Sequence, residues 1–546
     1  MEALAGQLEA GWRALEQAQW DAARRRFEVV LAAGESASAR EGLGQTLWFL
    51  GEIADGIGSK ACAFELYARA GQCDDAARTA VWVSHQHLLA GRVSAARGWL
   101  ARAERVLEDV PECEGHGWAA VERARHAPDP ADRAAHALRA VAIGRRLRAG
   151  DLEIFALSVV GRARVEGGHI EDGLLLLEEA LAGAVGGRVR NVHTLAEAYC
   201  NLIIASTSTG DWARATEWCE QVDAFARAHR TAPLFGTCRG VHADVLLATG
   251  HWPEAEQALE TSLATHARFV PQMAGPSVAS LAELRVSQGR LPDAEALLAG
   301  REEDPTALRV LALLRMAQGR PASSASLLER ALRHRSSGVL GTARLLAALV
   351  DARVGLADLD GAEQAARALA GLGTDSGVRL VTALSDLAAA RLARASGNAE
   401  DAAERARLAL TSFRALAMPL EAAEARVELA RALAGTAATT DLAVDEAEAA
   451  LAVFRGLGAS RSAGAVEVLL RDLAARRTGG EPHLPGQLTP REQQVLELVA
   501  LGYSNARIAT ELVITEKTAG HHVSHILAKL GAHNRTEAAA ALRGRR

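Results

Sequence analysis

Three histidines crowd into five positions near the end of the chain, in "TEKTAGHHVSHILAKLG" (Thr515 to Gly531). His521 and His525 are four apart and share one helix face, a spacing at which two imidazoles can hold a transition metal. A zinc site needs two or more further ligands, and a metalloprotease also needs a glutamate between the histidines. Here His522, Val523 and Ser524 lie between them, and no cysteine follows Cys238. No metal is expected.

Two other stretches invite chemistry. "CEGH" (Cys113 to His116) is half of a metal-ligand pattern with no second half, and is expected to be loop. "GIGSK" (Gly56 to Lys60) has glycines and a lysine but lacks the Gly-Lys-Ser/Thr ending of a phosphate-binding loop, and no Walker A sequence occurs. An ATP-dependent switch is therefore disfavoured and no cofactor is expected. Six scattered cysteines (Cys62, Cys73, Cys113, Cys200, Cys219, Cys238) include no Cys-x-x-Cys pair, which predicts reduced, mostly buried thiols. The chain is expected to bind rather than catalyse.

What positions the histidines is a small basic end on a large acidic body. From Gln487 onward eight Arg/Lys face five Asp/Glu, a net of +3, so residues 1–486 carry −9 of the total −6. That asymmetry suggests a polyanion-binding module on a scaffold. Only three lysines occur, Lys60, Lys517 and Lys529. The opening "MEALAGQLEAGW" lacks a basic region followed by an apolar run, and no apolar run approaches the roughly 18 residues of a membrane span. A cytoplasmic chain with no membrane partner is expected.

One pattern recurs through the first 470 residues. "GHIEDGLLLLEEAL" from Gly168, "GDWARATEWCEQV" from Gly210 and "GHWPEAEQALETSL" from Gly250 each set a glycine before small and apolar residues at helical spacing. "GRVSAARGWLARA" (Gly91) and "GNAEDAAERARLA" (Gly397) repeat it, and successive glycines are often about 40 apart. The glycine ends one helix in a left-handed cap and the small residues let the next pack closely. Such hairpins cannot bury their faces alone and stack into a solenoid. Trp212, Trp218 and Trp252 are expected to fill the packing between hairpins. The motif resembles the tetratricopeptide repeat, with longer repeats than that family's usual 34 residues.

"RRTGGEPHLPGQ" (476–487) breaks the helical period, which predicts a linker between a repeat domain (1–475) and a separate unit (488–546). In that unit Thr489, Pro490 and Glu492 form a capping box, with Val495, Leu496 and Val499 inward and Gly502 as stop. Ser504 opens a short helix and Thr515 a longer one to Leu530, with a last helix about Thr536 to Leu542. A short helix, a tight break and a longer capped helix make a helix-turn-helix. In the longer helix Ala519, Val523, Ile526, Leu527 and Leu530 must face the core. Lys517, Gly520, His521 and Ser524 then face out, with Thr518, His522 and His525 on the flanks.

The segment from "LTPREQQVLELVALG" through "SNARIATEL" to "AKLGAHNRTEAA" resembles the LuxR-type helix-turn-helix along its whole length. The resemblance implies an all-α protein, a tetratricopeptide-like α-solenoid followed by a small four-helix domain, similar to the large ATP-binding LuxR regulators without their nucleotidase. It implies double-stranded DNA as partner, with Gly520, His521 and Ser524 toward base edges and Lys517, Thr518 and His522 toward the phosphate backbone. It also implies a homodimer on DNA through helix 536–542, and a protein or small-molecule effector on the solenoid. Many relatives carry lysine where Gly520 stands. That missing cation keeps open another reading, a solenoid adaptor with a secondary or vestigial DNA-binding end.

Overall fold

In the computed structural model the protein is helical throughout, with twenty-nine α-helices and no strand among the described residues. The structure describes residues 2–189, 191–229, 236–333, 338–434, 439–479, 488, 490–512, 514, 516–530, 532 and 534–543. Among them no helix is long and apolar enough to cross a membrane.

The repeated motif folds as its residue types dictate. At "GHWPEAEQALETSL" the preceding helix ends at Ala248, and Gly250 takes φ +87°, a left-handed conformation that costs a side-chain-bearing residue far more. The amide of His251 then reaches back to the Leu246 carbonyl at 2.8 Å, satisfying a carbonyl that the helix end leaves open. Trp252–Phe269 starts at once, with Pro253 in its first turn and Ala255, Leu259 and Ser262 fully buried. The same closing bond recurs at Arg92, His169, Asp211 and Asn398, each following a left-handed glycine. Trp212 and Trp252 are buried, as packing between hairpins requires.

Two hairpins pack more closely still. A Cβ on Gly44 would lie 2.8 Å from the Gly56 carbonyl, and one on Gly56 would lie 2.9 Å from that of Gly44. Gly161 and Gly173 meet the same way. "GIGSK" is therefore the middle of the Ile53–Arg69 helix, where glycine admits a neighbouring backbone. Its Lys60 is buried beside Glu41 at 3.4 Å and lies 5.0 Å from the centre of the Trp82 ring.

The chain forms two compact units, Met1–Val286 with Arg290–Leu356 and Gln364–Thr382, and Ser287–Gly289 with Ala357–Glu363 and Ala383–Arg546. In the first unit the leading helices of successive hairpins pack on one another in an inner layer: Cys73–Leu89 on Glu114–His126, then Gly150–Glu166, Val192–Thr209 and Gly236–Ala248. Polar residues bridge this layer at repeat spacing. Trp48 donates to Gln86 at 2.8 Å, Ser84 to Glu122 at 2.8 Å, Asn201 to Ser158 at 3.0 Å and Ser280 to Asp244 at 2.6 Å. Burial lifts the Asp244 carboxyl to about 6.

Three expectations need correction. Cys113 to His116 opens a helix instead of forming a loop: Cys113 caps Glu114–His126, with its sulfur 3.4 Å from His116 Nδ1. Burial pushes that thiol up to about 11, so it is a poor nucleophile. The cysteines are not uniformly reduced and buried, because Cys200 and Cys238 are joined in a disulfide and Cys62 is exposed. The Ser460–Gly479 helix runs on into the residues expected to begin the linker, and residues 480–487 lie outside those described.

Candidate nucleic-acid interface

The last four helices of the second unit are Pro490–Ala500, Asn505–Glu511, Glu516–Leu530 and Arg535–Arg543. Their shared core is Val495, Leu496, Val499, Ile508, Ala509, Ala519, Val523, Ile526 and Ala538. Leu527 and Leu530 pack against it partly buried. The inward stripe expected for the third helix is thus the observed one, which leaves the opposite face to water.

Polar side chains then fix the helices relative to one another. Arg491, nearly buried, donates to the Leu512 carbonyl at 3.0 Å and so holds the end of the second helix against the first. Burial pulls its guanidinium below its ordinary value, while Asp445 and Glu446 act to raise it. Glu492, also buried, receives the Lys529 ammonium at 2.7 Å, tying the first helix to the third. Thr489, its expected capping partner, lies outside the described residues, as does Thr515, the expected cap of the third helix. Ser504 caps the second helix by accepting from the Arg507 amide at 3.2 Å. Arg535 donates to Asn505 Oδ1 and the Tyr503 carbonyl, both at 2.7 Å, so the fourth helix braces the start of the second.

On the third helix His521, Ser524 and His525 are exposed, one turn apart along one face. The Ser524 hydroxyl donates back to the Gly520 carbonyl at 3.0 Å, leaving its lone pairs toward solvent. Gly520 is half-buried, and a Cβ there would meet only Asn505 Nδ2, at an ordinary 3.5 Å. Glycine is thus not imposed by packing at this position. Thr518 is half-buried, and Lys517 belongs to the same helix.

His522 stands apart from the other five candidates. Its Nε2 lies 3.2 Å from a carboxylate oxygen of Asp445, on the Thr440–Leu457 helix of the same unit, and its side chain is only 16% exposed. Neighbouring Glu446 is buried against Arg426, and burial raises its carboxyl above the usual range. Sequence reasoning missed Arg491, Asn505 and Arg535 as positioning residues. The cue was available: charged and amide side chains at the ends of helices whose apolar stripes already account for the core. Among the described residues no group of His, Cys, Asp or Glu could hold a metal ion, and His521 and His525 gather no third ligand.

Residues 486–542 match the family described as bacterial regulatory proteins, luxR family. The nitrate/nitrite response regulator protein NarL of Escherichia coli (strain K12) is 46% identical over 72 residues, 13% of this chain and 33% of that protein. The transcriptional regulatory protein LiaR of Bacillus subtilis (strain 168) is 41% identical over 101 residues, 18% of this chain and 46% of that one. The chain therefore spans less than half the length of these relatives. A Rap protein complexed with competence and sporulation factor superposes with a TM-score of 0.39 at 14% identity, over 69% of this chain and 99% of that one. The Cut9–Hcn1 hetero-tetramer does so with a TM-score of 0.38 at 12% identity, over 93% and 95%. The C-terminal domain is a LuxR-type helix-turn-helix.

Proposed function

We propose that this chain is a sequence-specific transcription regulator whose repeats receive a protein or small-molecule signal and whose last domain binds double-stranded DNA. The observation that carries the reading is the exposed row His521, Ser524 and His525, set on a helix whose other face is locked into the domain core. A rigid helix with a short polar edge suits the major groove, where base edges differ in donors and acceptors. Gly520, His521 and Ser524 face the bases in this reading, and Lys517, Thr518 and His522 the phosphates. With so few cations a single domain binds weakly, so two copies pair through the Arg535–Arg543 helix on a two-half-site operator. That helix keeps Thr536 and Glu537 exposed while Ala538 and Ala539 are buried.

The test is a mobility-shift titration of the intact chain on genomic fragments at several salt concentrations. Retention that falls steeply with salt is expected. No retention even at low salt ends the reading and favours the adaptor.

Two variants probe the same surface. For His522 to reach a phosphate it must leave Asp445, whose carboxylate also repels the DNA backbone. Asp445→Asn is therefore expected to tighten DNA binding several-fold at low salt. Equal affinities for variant and parent refute the competition. Gly520→Lys restores a cation where the Cβ has room. It is expected to raise affinity for unrelated DNA by roughly the weight of one phosphate contact and to stabilise the helix by up to about 1 kcal/mol. An adaptor with a vestigial DNA end gains only the stability.

A further inference from the structure

Cys200 and Cys238 sit one repeat apart, on the Val192–Thr209 and Gly236–Ala248 helices, and their sulfurs are bonded across Cα atoms 5.7 Å apart. The other four cysteines keep their thiols. One bridge among six cysteines in a chain of 546 residues is no structural framework; small secreted domains that depend on disulfides are far denser in them. A regulator that meets the chromosome works where thiols are kept reduced, and a solitary bridge there is characteristically transient and redox-sensing. That step rests on the DNA-binding reading above.

We propose that Cys200 and Cys238 form a reversible redox-modification site, oxidised by a hydroperoxide and reset by a dithiol. Three features carry this. The Cα separation lies where a bridge closes without moving the backbone, so dithiol and disulfide fit the same pair of helices. Cys200 is partly exposed while Cys238 is 3% exposed, so an entering oxidant meets Cys200 first and Cys238 resolves it from behind. Cys219, in the same apolar cluster, is a buried thiol that the bridge leaves out.

The chemistry balances. The Cys200 thiolate attacks one peroxide oxygen, the O–O bond breaks, and the other oxygen leaves as water after taking up a proton. The Cys238 sulfur then attacks the Cys200 sulfenic acid, the S–O bond breaks, and a second water departs. Two thiols lose two electrons and two protons, and hydrogen peroxide becomes two waters. The bridge closes a loop containing the whole Trp212–His229 helix and joins two neighbouring inner-layer helices directly. Oxidation therefore stiffens the layer next to His193, Glu197 and Asn201 on the first of those helices and Asp244 on the second.

The experiment uses the full chain, reduced with dithiothreitol, desalted, exposed to stoichiometric hydrogen peroxide and then alkylated for peptide mapping. A Cys200–Cys238 cross-link that dithiothreitol opens in the folded protein is expected, with Cys219 alkylated only after unfolding. Bridging is also expected to raise the melting midpoint by on the order of 5 °C, with no rise in Cys200→Ser or Cys238→Ser chains. A bridge to Cys219, thiols that stay unoxidised, or a bridge that resists dithiothreitol in the folded protein each overturns the proposal. DNA retention measured on both forms separates this from the reading it rests on. A chain that holds DNA but never forms the bridge loses only the redox site. A chain that cycles the bridge but holds no DNA loses the DNA reading and keeps the site.

Discussion

Replacing His521 and Ser524 together by alanine is expected to weaken binding to the chain's own operator by roughly 30-fold while changing its affinity for unrelated DNA little. Both side chains lie on the exposed edge of Glu516–Leu530, and neither belongs to the core of the domain. Alanine removes an imidazole and a hydroxyl, groups that can exchange hydrogen bonds with base edges, and leaves Lys517, Thr518 and His522, proposed above to meet the phosphates, unchanged. A good bidentate base contact discriminates by about 1–3 kcal/mol, and two simpler contacts sum to about 2 kcal/mol, hence the fold-change. The substitutions also favour the helix slightly, since alanine has the highest helix propensity, so loss of folding cannot imitate the result. The measurement is a competition titration of parent and variant on a selected operator against scrambled sequence, with salt fixed. Equal losses on both DNAs place these residues among the backbone contacts. No loss on either removes them from the interface.

How much of this was legible in the sequence depends on the distance between the partners. The hairpins could be read because each is local. Gly250, Trp252, Ala255 and Leu259 lie within ten positions, and the left-handed glycine and the buried stripe follow from residue type alone. The inward face of the third helix of the DNA-binding domain was legible for the same reason, and Val523 and Ile526 are buried where the period puts them. What the sequence hid is the inner layer of the repeats. Its partners are Ser84 with Glu122, Ser158 with Asn201 and Cys200 with Cys238, 38, 43 and 38 positions apart. No local pattern joins such residues, because they meet only when successive hairpins stack in register. The repeat length itself was the available signal: polar residues recurring at about 40 positions along the leading helices mark bonds between repeats. His522 shows the same limit. Helical spacing puts it on the flank, but only packing within the second unit sets Asp445 beside it.

The largest stability effect is expected at Glu122, whose side chain is completely buried on the Glu114–His126 helix. Ser84 donates to one of its oxygens at 2.8 Å, the guanidinium of Arg125 lies 3.3 Å from the other, and His85 and His126 lie within 3.7 Å and 3.5 Å. Burial alone raises a carboxyl, but here the neighbouring His126 and His85 imidazoles, the Arg125 charge and the Ser84 hydroxyl prevail and hold it at about 2. Glu122→Ala leaves Arg125 largely buried, with the Phe155 ring 4.8 Å away and Glu197 at 3.9 Å as its remaining company. Removing one member of a buried pair costs about 3–5 kcal/mol, and Glu122→Gln, which keeps the Ser84 contact, is expected to cost less. The readout is the melting midpoint, which falls by on the order of 10 °C for alanine. Beside it His85 makes the first unit acid-sensitive, because burial and the Arg125 charge push its imidazole down to about 3. An unfolded histidine takes its proton near pH 6.5, so between pH 6.5 and 3 the unfolded chain binds more protons and stability falls as pH falls. At pH 5 this one residue costs about 2 kcal/mol. Asp244, raised to about 6 in the same unit, works the other way between pH 6 and 3.8 and offsets part of the loss. The comparison that isolates His85 is therefore parent against His85→Asn at pH 7 and pH 5, with Asp244 present in both. The variant is expected to lose about 2 kcal/mol less between the two pH values. If both lose the same amount, the folded chain protonates His85 at the same pH as the unfolded chain does, and burial does not hold the imidazole neutral.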